Sequence, residues 1–214
     1  MKTVLLTGFE PFNGASINPA WEAVRALEGW RTGAFRVEVR QLPCVFGEAI
    51  RTLAALVDEL EPNIVIAVGQ AGGRAEISVE RIAINVDDAS IVDNAGAQPV
   101  DRAIHADGPA AYFSTLPIKS MVAAMRAAGL KAAVSQTAGT FVCNHVFYGL
   151  MHHAATRAVK AGFIHVPFLP EQAQGRMDTP PSMALGDIIA AIRIAVEVAV
   201  AVEQDAAHVG GATH

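Results

Sequence analysis

The chain has 214 residues, 52% of them hydrophobic, and 16 basic against 21 acidic side chains give a net charge of -5. That composition supports one buried core, read as a single domain over residues 1–204, and the absence of a basic run excludes a nucleic-acid or anionic-membrane surface. Two cysteines are too few for a disulfide framework, and the first apolar run is broken at once by "GFEPF", so the sequence reads as cytoplasmic, without an export signal.

In chain order, "TVLLT" reads as a buried strand, and "NPAWEAVRALEGW" as a helix with Asn18 at its N-cap and Pro19 in the first helical position. "FRVEVRQL" alternates as a strand does, "FGEAIRTLAALVDELEP" has helical spacing, "NIVIAV" is a buried strand, and "ISVERIAINV" alternates again. Residues 87–117 then read as a long loop, of the kind that serves function or assembly. Helix "IKSMVAAMRAAG", strand "KAAVSQT", a helix opening at Cys143, strand "GFIHV" and a long C-terminal helix complete the chain. The last helix, "MALGDIIAAIRIAVEVAVAVEQ", is interrupted by Asp187, Arg193, Glu197 and Glu203, so a largely buried helix is expected there and no membrane span. The tail 205–214 has no periodicity and is expected to fray or be disordered. Strands alternating with helices predict an α/β fold with helices on both faces of a mostly parallel sheet.

Cys143 lies where a turn, "AGTFV", meets a helix start, "CNHVFYGL". Free backbone N–H groups and the macrodipole at that end favour a thiolate, and the same groups suit a developing oxyanion. A buried, unreactive cysteine is the ordinary alternative. His165 falls at the end of the "GFIHV" strand. With "AAVSQT" and "GFIHV" parallel and close, the thiol and the imidazole reach one carboxyl edge, where the imidazole can take the thiol proton. Glu80, at the centre of an alternating apolar strand, is the candidate for orienting that imidazole.

The segments "TGFEPFNGASINPAWEAV", "VGQAGGRAEISVERIAIN", "DGPAAYFSTLPIKSM", "GTFVCNHVFYGL" and "FIHVPFLPEQ" resemble, in order and spacing, the pyroglutamyl-peptidase I (pyrrolidone-carboxylate peptidase) family, over about residues 1–201. The resemblance implies a three-layer α/β/α sandwich around a mixed sheet, and a cytoplasmic homotetramer or homodimer. Its implied activity is that of a cysteine peptidase removing an N-terminal pyroglutamyl residue from peptides, with no cofactor. It assigns Cys143 as nucleophile, His165 as general base and acid, and Glu80 as the group orienting His165.

A pyroglutamyl ring carries no ammonium, only a lactam N–H and C=O on an apolar body, so its pocket needs apolar walls and a few aimed polar groups. The resemblance places Phe9 and Phe12 as ring walls, Gln70 and Asn18 as polar contacts, and Ile91, Phe141 and Val142 as further lining. Helix capping alone also explains Asn18, and core packing is the commoner fate of aromatics. The sequence departs from the family pattern at Ser90, where an arginine is usual, and at Cys44, where threonine is common. "GQAGG" leads into a strand and lacks a P-loop ending, which disfavours nucleotide binding, and His145, His152 and His153 read as packed or solvated, with no set of ligands completing a metal site. The remaining alternatives are another Cys–His amide hydrolase and an inactive pyroglutamyl-binding homologue.

Overall fold

The computed structural model describes residues 1–175, 177–207 and 209–211. Apolar runs form the sheet's centre: β1 (Lys2–Phe9), β3 (Ile64–Gln70) and β8 (Lys160–Val166) are buried along almost their whole length, as strands between two helix layers must be. The edge strand β2 (Phe35–Leu42) alternates between buried and more exposed positions. With β4 (Ile77–Glu80) and β7 (Ala132–Ser135) the sheet has the order β2-β1-β3-β8-β4-β7.

Four strands run one way and two the other. β2, β1, β3 and β8 are parallel neighbours, whereas β4 lies antiparallel to β8 and carries β7 parallel to itself. The reason is chain length. Only residues 71–76 separate β3 from β4, too few for a parallel crossover, so the chain must turn back. β7 follows through α3 (Ile118–Ala127) and therefore keeps the direction of β4. The expected parallel approach of "AAVSQT" to "GFIHV" is thus corrected: β7 lies two places from β8 and runs against it.

Helices α1 (Pro19–Arg25), α3 and α6 (Leu185–Ala201) cover one face, α2 (Glu48–Leu60) and α4 (Val142–Ala154) the other. In α6, Ile188, Ala191, Ile192, Ala195, Val196 and Ala199 are buried at helical spacing, each large aliphatic contributing roughly 1.5–3 kcal/mol by leaving water. Among the described residues no helix is long and apolar enough to cross a membrane. α1 is shorter than expected, its last part being turns at residues 26–29, and a short helix α5 (Pro170–Ala173) follows β8.

Two further expectations change. The alternating segment "ISVERIAINV" breaks at Arg81 into β4 and β5 (Ile82–Ile84), and β5 leaves the main sheet to pair antiparallel with β6 (Ala111–Phe113). The long loop therefore contains a strand. The described part of the tail is also tied down: Asp205 accepts hydrogen bonds from the Lys119 and Ser120 N–H groups and from Ser120 Oγ, all at 2.9 Å. It caps α3, whose N-cap is Pro117, a residue with no side-chain acceptor. Residues 208 and 212–214 of the expected fraying segment lie outside the described residues.

Candidate active site

Side-chain alternation decides which residues meet. Ile64, Ile66, Val68, Ile77, Val79, Ile164 and Val166 belong to the core under α1, α3 and α6, while Val65, Ala67, Ala161 and Phe163 belong to the core under α2 and α4. Gly69, Glu80 and His165 have the second parity, so all three face α4. Gly69 and Ser78 are the register partners of His165 on the two sides of β8.

Cys143 is the second residue of α4 and arrives from above. A β-carbon on Gly69 would lie 2.8 Å from Cys143 Sγ and 2.7 Å from Phe163 Cζ. The thiol rests on the bare backbone of residue 69, the register partner of His165 on β3. The first intrahelical bond of α4 runs from His145 N–H to Phe141 O, and Phe141 at the N-cap has no capping oxygen. The N–H groups of Val142, Cys143 and Asn144 thus have no intrahelical acceptor beside the thiol.

His165 is buried, and its Nδ1 lies 2.7 Å from Glu80 Oε1. A carboxylate only accepts, so Nδ1 carries the hydrogen and Nε2 is the basic nitrogen. Glu80 is fully buried, and the same Oε1 accepts from Arg74 Nη1 at 2.7 Å. Oε2 has no partner among the described residues. Burial pushes the Cys143 thiol well above its ordinary range, Cys44 and Glu80 push it further, and Arg74 acts against them. These influences oppose the thiolate that the helix end favours, so the thiol calls for a base beside it.

The residues expected to line the pocket divide into four groups. Phe12 and Phe141 are half-buried with ring centroids 5.9 Å apart, Phe46 meets Phe141 edge-on at 5.3 Å, and Phe12 and Gln70 border a cavity of about 530 Å³. Loop 13–17, Phe168 and Gln172 complete much of its wall. Gln172 Nε2 donates to Gln70 Oε1 at 3.0 Å, which leaves the donor end of the Gln70 amide without an acceptor among the described residues. Ile91 is half-buried. Phe9 and Val142 are core residues: β1 continues through Phe9, alternation points it inward, and its ring packs 6.2 Å from Phe163. Asn18 is buried as a cap, its Oδ1 accepting from Ala20 N–H at 3.0 Å and its Nδ2 donating to Glu10 O at 3.1 Å.

The three histidines resolve separately. His145 Nδ1 lies 2.8 Å from Asp87 Oδ2 and its Nε2 accepts from Gly47 N–H at 2.8 Å, bracing α4 against the start of α2. His152 Nδ1 meets the Tyr112 hydroxyl at 2.9 Å, and His153 Nε2 meets Asp58 Oδ1 at 2.9 Å. Asn144 clamps the backbone of Ile84 and Val86 through both ends of its amide. Ser90 is exposed, and Cys44 is buried with its N–H donating to Glu10 Oε1 at 2.9 Å. Arg74, Gly69 and Asn144 were not legible as site residues. The only signal for Arg74 is a cation in the six-residue turn "AGGRAE", between the strands that carry Gln70 and Glu80.

The family described as pyroglutamyl peptidase matches residues 2–202. The pyrrolidone-carboxylate peptidases of Cupriavidus taiwanensis and Cupriavidus pinatubonensis are 63% and 64% identical over 217 aligned residues, covering 100% of this chain and of each relative. Among solved structures, pyroglutamyl peptidase I of Bacillus amyloliquefaciens superposes with a TM-score of 0.93 at 47% identity, covering 96% of this chain and 100% of that one. A mutant pyrrolidone carboxyl peptidase of Pyrococcus furiosus does so with a TM-score of 0.90 at 43% identity, over 92% of this chain and 98% of that one. With the family matched over nearly the whole sequence and a thiol, an imidazole and a carboxylate gathered on one face of the sheet, this chain belongs to the pyroglutamyl peptidase family.

Proposed function

We infer that the protein is a cysteine peptidase that hydrolyses the amide bond after an N-terminal pyroglutamyl residue, with Cys143, His165 and Glu80 as its catalytic groups. The observation that carries the assignment is Cys143 Sγ seated over Gly69, the register partner of a His165 whose Nδ1 is held at 2.7 Å by Glu80. His165 Nε2 takes the thiol proton as Cys143 Sγ attacks the pyroglutamyl carbonyl. The oxyanion that forms is met by the free N–H groups of the first turn of α4. His165 then returns the proton to the departing amine, leaving a thioester on Cys143. A water deprotonated by His165 cleaves that thioester, releasing pyroglutamate and restoring the thiol. Because burial raises the thiol, proton transfer accompanies attack and no standing ion pair is needed.

Phe12 and Phe141 supply the apolar walls for the ring, backed by Phe9, Val142 and Ile91. The Gln70 amide, its oxygen engaged by Gln172, donates to the lactam carbonyl. Asn18 shapes the loop that carries Phe12. A cytoplasmic location and assembly as a homodimer or homotetramer belong to the same proposal. They are supported by two free cysteines and by Phe113 and Val100, each 66% exposed, as apolar surface to cover.

Release of a fluorophore from pyroglutamyl, glutamyl and alanyl amides tests the reading. Glutamate adds an ammonium and a carboxylate to an apolar site, so its amide is expected to be worse by at least roughly 1000-fold in kcat/KM. Comparable rates on both would remove the pocket assignment, and hydrolysis of neither would leave a binding homologue.

A further inference from the structure

We propose that Arg74 is a positioning residue that holds the His165–Glu80 pair and the nucleophile's helix in one geometry, gripping Glu80 with one side of its guanidinium and the connection leading to Cys143 with the other. The proposal rests on the catalytic reading of Cys143, His165 and Glu80.

Arg74 sits on the six-residue turn between β3 and β4, with its side chain about 29% exposed. Its Nη1 donates to Glu80 Oε1 at 2.7 Å and to Ser135 Oγ at 3.2 Å, and its Nη2 donates to Thr137 O at 2.8 Å. Ser135 ends β7, and Thr137 lies in the connection 136–141 that delivers Phe141 to the N-cap of α4. Ser135 Oγ also bonds Thr137 O at 3.0 Å, so the guanidinium closes a small ring of polar contacts around the start of that connection. One planar fork thereby fixes the position of the acid relative to the segment that places the thiol. A lysine has a single ammonium and cannot make both bonds in that arrangement.

The second argument is the state of Glu80. It is wholly buried, both of its hydrogen bonds fall on Oε1, and Oε2 has no partner among the described residues. Without Arg74 this carboxylate would keep one hydrogen bond and no fixed countercharge, the arrangement that burial penalises most. The guanidinium is also the cation that opposes the rise of the Cys143 thiol, so its charge favours the thiolate formed during attack. Ser90, where the family usually has arginine, is exposed, which leaves Arg74 as the cation hydrogen-bonded to the site's acid.

The test compares Arg74→Ala and Arg74→Lys with the parent enzyme, measuring kcat, KM, the pH profile of kcat/KM, thermal stability and the fraction of Cys143 titrated by iodoacetamide. Arg74→Ala is expected to lower kcat by on the order of 100-fold, the scale of a misplaced reacting group, with KM changed only a few-fold. The acid limb of its kcat/KM profile moves to higher pH, because the guanidinium's positive charge is gone from the site. Added methylguanidine restores part of kcat to Arg74→Ala and none to Glu80→Gln. Arg74→Lys keeps the acid limb and recovers only part of kcat. Parent-like kcat and acid limb in Arg74→Ala would overturn the proposal. So would a loss matched by an equal fall in the fraction of protein that melts cooperatively, since that marks a fold defect alone. Full activity in Cys143→Ala would instead overturn the site reading beneath it.

Discussion

The two faces of the sheet are built from the same strands and do different work. Under α1, α3 and α6 the strands present Val4, Leu6, Ile64, Ile66, Val68, Val79 and Ile164 to aliphatic helix residues. Under α2 and α4 they present Thr7, Gly69, Ser78, Glu80 and His165 among Leu5, Phe9, Val65 and Phe163. Both buried side-chain atoms without a partner among the described residues, Thr7 Oγ1 and Glu80 Oε2, lie on this second face. An alternation of period two thus lets one strand contribute stability through one set of side chains and chemistry through the next. The polar face carries a desolvation cost that the apolar face does not, offset by the His165–Glu80–Arg74 bonds.

If the division holds, substitutions on the two faces separate activity from stability. The largest effect is expected for Cys143→Ala and His165→Ala, each losing at least roughly 10⁴-fold in kcat/KM, with the melting temperature barely moved in Cys143→Ala. Glu80→Gln should keep a larger remainder, because orienting a base is worth less than supplying one. Assays on a pyroglutamyl amide beside thermal melts decide this, and parent-like activity in any of the three variants breaks the comparison.

On the opposite face, Ile192→Ala in α6 removes a fully buried side chain and is expected to cost about 2–5 kcal/mol of stability in denaturant melts. Its kcat/KM, measured on the folded protein, should stay at the parent value. Gly69→Ala sharpens the other side: the new methyl meets Cys143 Sγ and Phe163, so kcat should fall by on the order of 100-fold from displacement of the thiol alone. Retained turnover there would mean that the thiol does not need the space above β3.

The smallest effect concerns Cys44. Burial, then the charges of Glu10 and Asp93, raise its thiol from 9.0 to about 12. A thiol raised in the folded state contributes stability that is complete below about pH 9 and is lost as pH rises toward 12. Cys44→Ser should therefore flatten the alkaline decline of stability while leaving hydrolysis at neutral pH intact, as read by melts between pH 8 and about 11.

Much of this was legible along the chain because it is local. The strand and helix periods, Pro19 after Asn18, the cysteine at a helix start and the histidine at a strand end each depend on neighbours within a few residues. The direction of β4 was legible too, since six residues between β3 and β4 cannot support a crossover. The break at Arg81 was not legible, because strand alternation reads the same whether or not the segment changes sheets.

The amino-acid sequence by itself determined the α/β order of elements, which side chains share a face of each strand, and the motifs around Cys143, His165 and Glu80 that mark the family. Only the tertiary structure decided that Gly69 lies under the thiol, that Phe9 turns inward while Phe12 borders open space, and that Arg74 reaches both Glu80 and Thr137. It also set the surroundings of the Cys143 thiol, since a helix start favours the thiolate locally while burial and the charge of Glu80, distant in sequence, act against it. Propensity and pattern act over a turn or a strand, whereas desolvation and charge depend on what the whole fold brings within a few ångströms.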